Sequence, residues 1–157
     1  RGVDIVSFGA TKNGCWCAEA LVFLKPEMAR DLPFIRKRAA QLFSKSRFIA
    51  AQFDAYLNDG LWLDLARHSN GMADRLRAGI AASSNARLGW ETQTNELFPI
   101  LKKQAVEALR AKGAVILDWN PPRAVRKEIA PDETMVRMVT SFATNEDDVD
   151  RFVDLLG

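Results

Sequence analysis

The amino-acid sequence predicts an α/β fold, and three observations lead to that class. Short apolar runs near the start of the chain, Val3–Val6 and Ala20–Leu24, are flanked by glycine and are typical of buried strands. A long helical periodicity covers 61–82. After it, short strand-like and helix-like segments alternate, and strands covered on one side by helices form an α+β layer. We therefore expect such a layer over 84–157.

The turn between the first two predicted strands is the first candidate functional segment. Residues 7–14 read Ser-Phe-Gly-Ala-Thr-Lys-Asn-Gly, with Lys12 near the centre. A plain surface turn is the usual structure of such a segment. The alternative is a partly desolvated amine at the rim of a sheet, because burial favours the neutral amine that attacks a carbonyl. Gly9 and Gly14 would let the backbone approach a bound anion.

Helices are predicted between the strands and the long helix. Pro26 stands at a favoured first helical position and Glu27 adds an acid there, so a helix begins at this point. After Pro33 the helical pattern continues over 34–44 and resumes over 48–58.

The stretch from Leu32 to Phe53 contains no acidic residue but five cations: Arg36, Lys37, Arg38, Lys45 and Arg47. Such a run is either a solvated face or an anion site, since arginine can hold phosphate oxygens with two parallel hydrogen bonds.

Residues 61–82 predict one long helix, which Asp59-Gly60 separates from the preceding one. Its apolar residues recur at helical spacing. His68 lies within this helix and is the single histidine of the chain. Without a second histidine or an acid at suitable spacing, it is interpreted as structural rather than as a catalytic base.

The last part of the chain predicts short elements in alternation. They are strands over 87–92 and 95–101, a helix over 102–112 ended by Gly113, a strand over 114–119, a charged loop over 123–133, a strand over 135–142, and a final helix that Thr144 caps.

Arg137 is the second candidate functional residue. It lies on the same strand face as Met135 and Val139. A guanidinium on a half-buried apolar face needs a partner, because desolvation of an unpaired charge is costly. The partner is either an acid of the same domain or the carboxylate of a ligand.

Composition narrows the class of protein. The chain has 157 residues, 48% hydrophobic, with a formal net charge of +2. It has no run of about 20 apolar residues that would span a membrane, and the small net charge does not indicate a nucleic-acid partner. Cys15 and Cys17 are too close for an ordinary disulfide and too few for a zinc site. We interpret them as small buried thiols and expect a cytoplasmic protein without a metal.

Five segments occur in an order that points to one family: residues 2–24, 36–48, 59–62, 66–68 and 136–142. The first contains Ser-Phe-Gly-Ala-Thr-Lys-Asn-Gly and then Glu-Ala-Leu-Val-Phe, and the last reads Val-Arg-Met-Val-Thr-Ser-Phe. Together they resemble the low-specificity L-threonine aldolases, a branch of the aspartate-aminotransferase-like, fold type I enzymes that use pyridoxal phosphate.

The resemblance implies a role for each candidate residue. Lys12 corresponds to the Schiff-base lysine of pyridoxal phosphate, and Thr11 and Ser7 are candidate hydroxyl donors to its phosphate. Arg47 and Arg38 match basic residues that reach the phosphate or the site of the partner subunit.

Arg137 corresponds to the arginine that binds the α-carboxylate of the amino acid substrate. The family's catalytic histidines precede the lysine, so no catalytic role passes to His68.

The resemblance also implies a domain plan, that of the C-terminal part of a fold type I enzyme. Residues 1–60 would end the cofactor-binding large domain, with the lysine loop on its sheet and helices after it; 61–83 would be a linking helix and 84–157 a small α+β domain. The sequence opens directly on a strand at Arg1-Gly2, so we expect a portion of a longer polypeptide. The phosphate turn, the ring stacker, the pyridinium partner and the base would then lie upstream.

The expected activity is cleavage of L-threonine or a related β-hydroxy-α-amino acid to glycine and an aldehyde. The fragment is expected to be inactive alone and to belong to a homodimer or homotetramer with sites at the subunit interface. Another fold type I lyase or an aminotransferase is the alternative enzyme. An assembly domain that has kept the fold without the chemistry is the alternative outside enzymes.

Overall fold

The computed structural model of the protein describes residues 2–157 and contains two compact units, with the boundary after Asp64. Both units mix helices with antiparallel strands, and the predicted fold class is confirmed. Among the described residues, no helix is long and apolar enough to cross a membrane.

The first unit is built on a hairpin. Strand β1 (Ile5–Gly9) pairs antiparallel with β2 (Glu19–Phe23), with Ser7 opposite Leu21. The rest of the unit is helical: a 3₁₀ turn at Pro26–Ala29, α1 (Leu32–Arg38), α2 (Ser46–Leu57) and a 3₁₀ turn at Asn58–Gly60.

The prediction that the two strands are buried is wrong for this structure. Side chains on β1 alternate between exposed and half-buried positions. Val6 and Phe8 lie on the half-buried face, whereas Ile5 and Ser7 lie on the other face and are exposed. This alternation is typical of a sheet covered on one side only.

The helix predicted over 34–44 is also too long. Helix α1 ends at Arg38, and Ala40 then adopts a positive φ of 54°, a left-handed conformation that cannot continue a right-handed helix.

The second unit begins within α3 (Leu61–Ala82), whose bounds match the predicted helix. The elements that follow are β3 (Ala86–Leu88), β4 (Glu96–Leu97), β5 (Pro99–Lys102), α4 (Lys103–Ala111), β6 (Leu117–Asp118), α5 (Arg123–Arg126), β7 (Glu133–Val139) and α6 (Glu146–Leu156).

Strand β7 organises the sheet of this unit. It pairs antiparallel with β4, β5 and β6, and β3 pairs with the far side of β5. Glu96 lies opposite Val139 and Ile100 lies opposite Met135, so β4 and β5 meet β7 in one continuous register. The long strand expected over 95–101 is thus two short strands with Phe98 between them.

One face of this sheet and three helices enclose the core. Val136 is fully buried, as are Leu97 and Leu101 on its neighbouring strands. Helices α3, α4 and α6 supply most of the other buried residues: Met72, Ala73, Leu76, Ile80, Val106, Leu109, Val149 and Leu156. Burial at this scale makes the second unit a stable support for residues on β7.

The cap of the final helix differs from the prediction. Asn145, not Thr144, is the N-cap, and its Oδ1 accepts from the Asp148 backbone N–H at 2.8 Å. The Thr144 hydroxyl instead accepts from the Ser141 N–H at 2.9 Å, which closes the turn before the helix. Both residues are good capping types, so composition alone did not separate them.

Candidate functional site

Residues 10–18 form a loop between β1 and β2 that is closed by its own backbone hydrogen bonds. The Ala10 N–H donates to the Ala18 carbonyl at 2.8 Å, and the Asn13 and Cys15 N–H groups both donate to the Ala10 carbonyl at 3.1 Å. Within the loop, Thr11–Asn13 form a 3₁₀ turn that ends at Gly14 with a φ of 116°. That conformation strains any residue with a Cβ, so glycine is required there.

Lys12 is the central residue of this 3₁₀ turn, and its side chain is exposed among the described residues. The neighbouring Asn13 anchors the turn: its side-chain NH₂ donates to the Tyr56 hydroxyl at 2.6 Å and to the Trp62 carbonyl at 3.1 Å. The backbone of Lys12 is therefore held while its amine remains accessible.

Gln52 on α2 holds the other end of the loop. Its Oε1 accepts from the backbone N–H of Trp16 at 2.9 Å and of Cys17 at 3.0 Å. Its NH₂ donates to the Phe48 carbonyl at 3.0 Å, which fixes the orientation of the side chain. One side chain thus connects the second half of the loop to a helix.

An aromatic cluster supports the start of the loop. The Phe8 ring stacks on Phe53 at 6.0 Å between centroids and meets the edge of Trp62 at 6.2 Å, and Tyr56 is tilted against it at 6.3 Å. Tyr56 is 4% exposed and is the largest buried residue described in the first unit. Since it also accepts the bond from Asn13, the cluster and the loop are directly linked.

The two candidate hydroxyls differ in their surroundings. The Thr11 Oγ1 accepts from the Ala18 N–H at 3.1 Å, which orients the oxygen and leaves the hydroxyl proton to donate elsewhere. Ser7 lies on the exposed face of β1, and its hydroxyl makes no hydrogen bond within residues 2–157.

The two cysteines are free, as the sequence predicts, but they are half-buried rather than buried. Burial raises the pKa of the Cys15 thiol, which disfavours the thiolate form. Its Sγ lies 3.9 Å from the Gln52 carbonyl oxygen.

The basic candidates flank the break between α1 and α2. Arg38 is the last residue of α1, and Arg47 lies in the first turn of α2 with its guanidinium 4.7 Å from the Phe48 ring centroid. Neither arginine has a carboxylate partner within the described part of the chain. Both are exposed and free to bind an anion.

Arg137 has two fixed contacts in the second unit. Its Nε–H donates to the Glu96 carboxylate, and its guanidinium lies 5.4 Å from the Trp119 ring centroid. The side chains of Arg137 and Glu96 are 40% and 36% exposed, so the pair is accessible. The two terminal NH₂ groups of Arg137 have no hydrogen-bond partner among residues 2–157.

His68 has a structural contact. Its Nε2 lies 2.6 Å from the Thr144 carbonyl oxygen, and a carbonyl only accepts, so Nε2 carries the proton. This contact joins α3 to the turn before α6.

The predicted site residues therefore fall into two groups. Ser7, Thr11 and Lys12 share the hairpin, and Arg38 and Arg47 belong to the same unit, whereas the second unit carries Arg137. Sequence reasoning missed Gln52, Glu96 and Trp119, which hold the loop and the guanidinium. For Glu96, the alternating pattern over 95–101 was the one usable signal, because it places the side chain on a strand face.

Two curated relatives match the chain. An alignment of 143 positions covers 83% of the chain and 41% of the low specificity L-threonine aldolase of Pseudomonas sp. (strain NCIMB 10558), with 34% identity. Over 112 residues, or 71% of the chain, it is 40% identical to the low specificity L-threonine aldolase of Pseudomonas aeruginosa, with 32% of that protein covered. The chain thus spans well under half the length of these relatives. No protein-family profile matches the sequence.

Solved structures give a consistent result. The threonine aldolase of Leishmania major matches 98% of the chain with a TM-score of 0.86 and 31% identity, over 42% of its own length. Serine palmitoyltransferase of Sphingomonas wittichii matches 69% of the chain at 20% identity and covers 26% of that chain, with a TM-score of 0.51. A glycine decarboxylase (P-protein) of the glycine cleavage system, solved with an inhibitor, matches 97% at 18% identity and covers 34% of that chain, also with a TM-score of 0.51. The last two show a shared fold alone.

Proposed function

Because the chain belongs to the low specificity L-threonine aldolase family, we propose that it provides part of the active site of a pyridoxal-phosphate-dependent carbon–carbon lyase. The substrate is L-threonine or a related β-hydroxy-α-amino acid, and the products are glycine and an aldehyde. The observation that carries the proposal is the bonded loop that presents the exposed Lys12 on a 3₁₀ turn.

The residues of the first unit fit the cofactor. Lys12 would hold it covalently through Nζ, because the turn fixes its backbone and leaves the amine accessible to the carbonyl of the cofactor. The partial desolvation expected from the sequence is not found, since the Lys12 side chain is exposed within the described residues. Thr11 has a hydroxyl proton to donate to the phosphate. Arg38 and Arg47 are cations without carboxylate partners in the described part of the chain, and such groups favour a doubly charged anion. When bound, pyridoxal phosphate serves as the electron sink for the bond that breaks.

Arg137 would bind and orient the substrate. Its two terminal NH₂ groups match the two oxygens of an α-carboxylate, and bidentate binding restricts rotation of the amino acid. The orientation matters because the bond to be broken, Cα–Cβ, must be aligned for reaction. As it breaks, the β-hydroxyl loses its proton and becomes the aldehyde oxygen, the electron pair goes to Cα, and a proton added at Cα gives glycine.

We further propose that this chain does not catalyse the reaction by itself. It spans 41% of the length of the first aldolase relative, and none of its described side chains is assigned as the base that takes the β-hydroxyl proton. Many large apolar side chains of the first unit are exposed, which favours a homodimer or homotetramer: Val3, Ile5, Trp16, Leu21, Leu24, Phe34, Phe43, Phe48 and Leu57 among them. The free thiols fit the reducing cytoplasm.

The test compares three forms of the full-length polypeptide that carries this sequence. The wild type, Lys12→Ala and the matched control Lys25→Ala are each incubated with pyridoxal phosphate, reduced with borohydride and mapped by peptide mass. Lys25 is the nearest lysine to follow, and its ammonium pairs with Asp4 at 2.7 Å. We expect the adduct on Lys12 in the wild type and in Lys25→Ala, and its loss in Lys12→Ala.

Product analysis then identifies the reaction. Glycine and an aldehyde from L-threonine indicate the aldolase, whereas ammonia and a keto acid indicate β-elimination. An adduct at another lysine, or turnover that survives Lys12→Ala, would refute the role of Lys12. Absence of any lysine-dependent adduct would favour the assembly-domain alternative.

A further inference from the structure

Arg137 is held on two sides by residues from other strands. Glu96 on β4 lies opposite Val139 in the antiparallel register, two positions from Arg137 on β7, which places the two side chains diagonally on one face. The Glu96 carboxylate accepts the Nε–H of Arg137. Trp119 follows β6, and its ring centroid lies 5.4 Å from the guanidinium carbon.

The Trp119 ring is itself fixed. Its backbone N–H donates to the Met135 carbonyl at 2.9 Å, which extends the pairing of β6 with β7 by one residue. Its indole packs against Phe98 at 5.4 Å between centroids, and Phe98 stacks on Trp90 at 4.7 Å. Three aromatic rings in series thus give the guanidinium a rigid neighbour.

The geometry of the Glu96 bond leaves the functional end of Arg137 free. Glu96 takes the Nε–H and no terminal NH₂ group, and the described residues offer those two groups no other acceptor. An unrestrained arginine has high rotamer entropy, of which part is lost when it binds a ligand. A guanidinium restrained in advance loses less, so its affinity for a carboxylate is higher.

We propose that Glu96 and Trp119 are positioning residues that orient the guanidinium of Arg137 toward the α-carboxylate of the substrate. This inference rests on the proposed function, since it assigns these residues to the same amino acid site. Neither residue touches the reacting bond, so their effect is on substrate binding rather than on the chemical step.

The first experiment measures KM and kcat in the full-length polypeptide loaded with pyridoxal phosphate. Glu96→Ala removes the acceptor, and we expect KM for L-threonine to rise roughly 2- to 10-fold with kcat nearly unchanged, because an arginine that is not restrained in advance loses more rotamer freedom when it binds the carboxylate. Glu96→Gln keeps an acceptor oxygen and should restore most of the affinity. Asp118→Asn is the matched control. It removes an exposed carboxylate on β6 that forms an ion pair with Arg110 at 3.2 Å, and it should leave KM unchanged.

The sign of the change separates two roles for Glu96. If Glu96 instead competes with the substrate for Arg137, its removal lowers KM, and that result overturns the proposal. An unchanged KM in Glu96→Ala overturns it as well.

The second experiment is independent of activity. The Arg137 Nε–H signal is followed by NMR in the 157-residue chain, where we expect slow solvent exchange in the wild type and fast exchange in Glu96→Ala. A signal that is the same in both overturns the positioning contact. A protected Nε–H together with a wild-type polypeptide that has no aldolase activity overturns the proposed function, and with it the role assigned to Glu96, while the ion pair itself stands.

Discussion

Removal of the Gln52 side chain should loosen the loop that carries Lys12. In Gln52→Ala the loop loses two bonds, from the Trp16 and Cys17 N–H groups to Oε1 at 2.9 and 3.0 Å. A net hydrogen bond contributes about 0.5–1.5 kcal/mol. The Trp16 bond is exposed and its N–H can return to water, so its share lies at the low end, whereas the Cys17 bond is partly buried.

The two bonds together stabilise the closed loop by about 1–2 kcal/mol, so the loop of Gln52→Ala should open roughly 5- to 30-fold more often than that of the wild type. Amide hydrogen exchange at Trp16 and Cys17 measures this opening directly, without any need for activity. Exchange at Val136, in the core of the second unit, serves as the internal reference because it is fully buried there.

Two further variants sharpen the test. Gln52→Glu keeps two acceptor oxygens and should preserve most of the protection at both amides. Gln93→Ala is the matched control, since the Gln93 amide contacts only Glu91 at 3.5 Å on an exposed turn, and it should change neither amide. If the exchange rates in Gln52→Ala equal those of the wild type, then Gln52 does not hold the loop and this reasoning is refuted.

Two other predictions concern the second unit. Gly79→Ala should destabilise it by about 1–3 kcal/mol in urea unfolding, because the new methyl group overlaps the Val153 side chain of α6, including its Cβ. Gly71→Ala in the same helix is the control, because its methyl group meets open space and should stabilise the unit by up to about 1 kcal/mol. Equal effects of the two substitutions would contradict the packing of α3 against α6. The backbone N–H of Ala130, and then Arg87, hold the pKa of Glu133 below its ordinary value. The stability that ionised Glu133 contributes is therefore present at pH values above the ordinary pKa of a glutamate, and it is lost as the pH falls through the lower folded pKa. Glu133→Gln should accordingly flatten the acid limb of a plot of unfolding free energy against pH. An acid limb as steep as that of the wild type would show that other carboxyl groups determine it.

The elements that the sequence predicts well are those with a strong local pattern. Helix α3 has the predicted bounds because its apolar residues repeat over 22 positions with no proline. The Lys12 turn is also local, since Gly14 and its neighbours specify a tight connection between two strands. Short strands were predicted less well. Strand β6 contains two residues where six were expected, because its pairing depends on β7 rather than on its own composition.

The contacts that support the candidate site residues join side chains far apart in the sequence, so the local sequence pattern could not predict them. Gln52 meets Trp16 and Cys17 across 36 and 35 positions of the chain. Glu96 meets Arg137 across 41 positions. A half-buried glutamine in a helix and a glutamate on a short strand look ordinary in sequence, because nothing local specifies which backbone or guanidinium will face them.

The two units are stabilised by different interactions, and this affects the site. The second unit buries a cluster of aliphatic side chains from α3, α4, α6 and the sheet, whereas the buried apolar residues among positions 2–64 are Ala10, Ala18 and Tyr56. So little apolar burial cannot by itself hold a nine-residue loop in one conformation. The order of the loop around Lys12 then depends on specific hydrogen bonds to Gln52, Tyr56 and the Trp62 carbonyl. The position of the lysine backbone is therefore determined by α2 and the residues directly after it, and substitutions there should alter Lys12 more than any change within the core of the second unit.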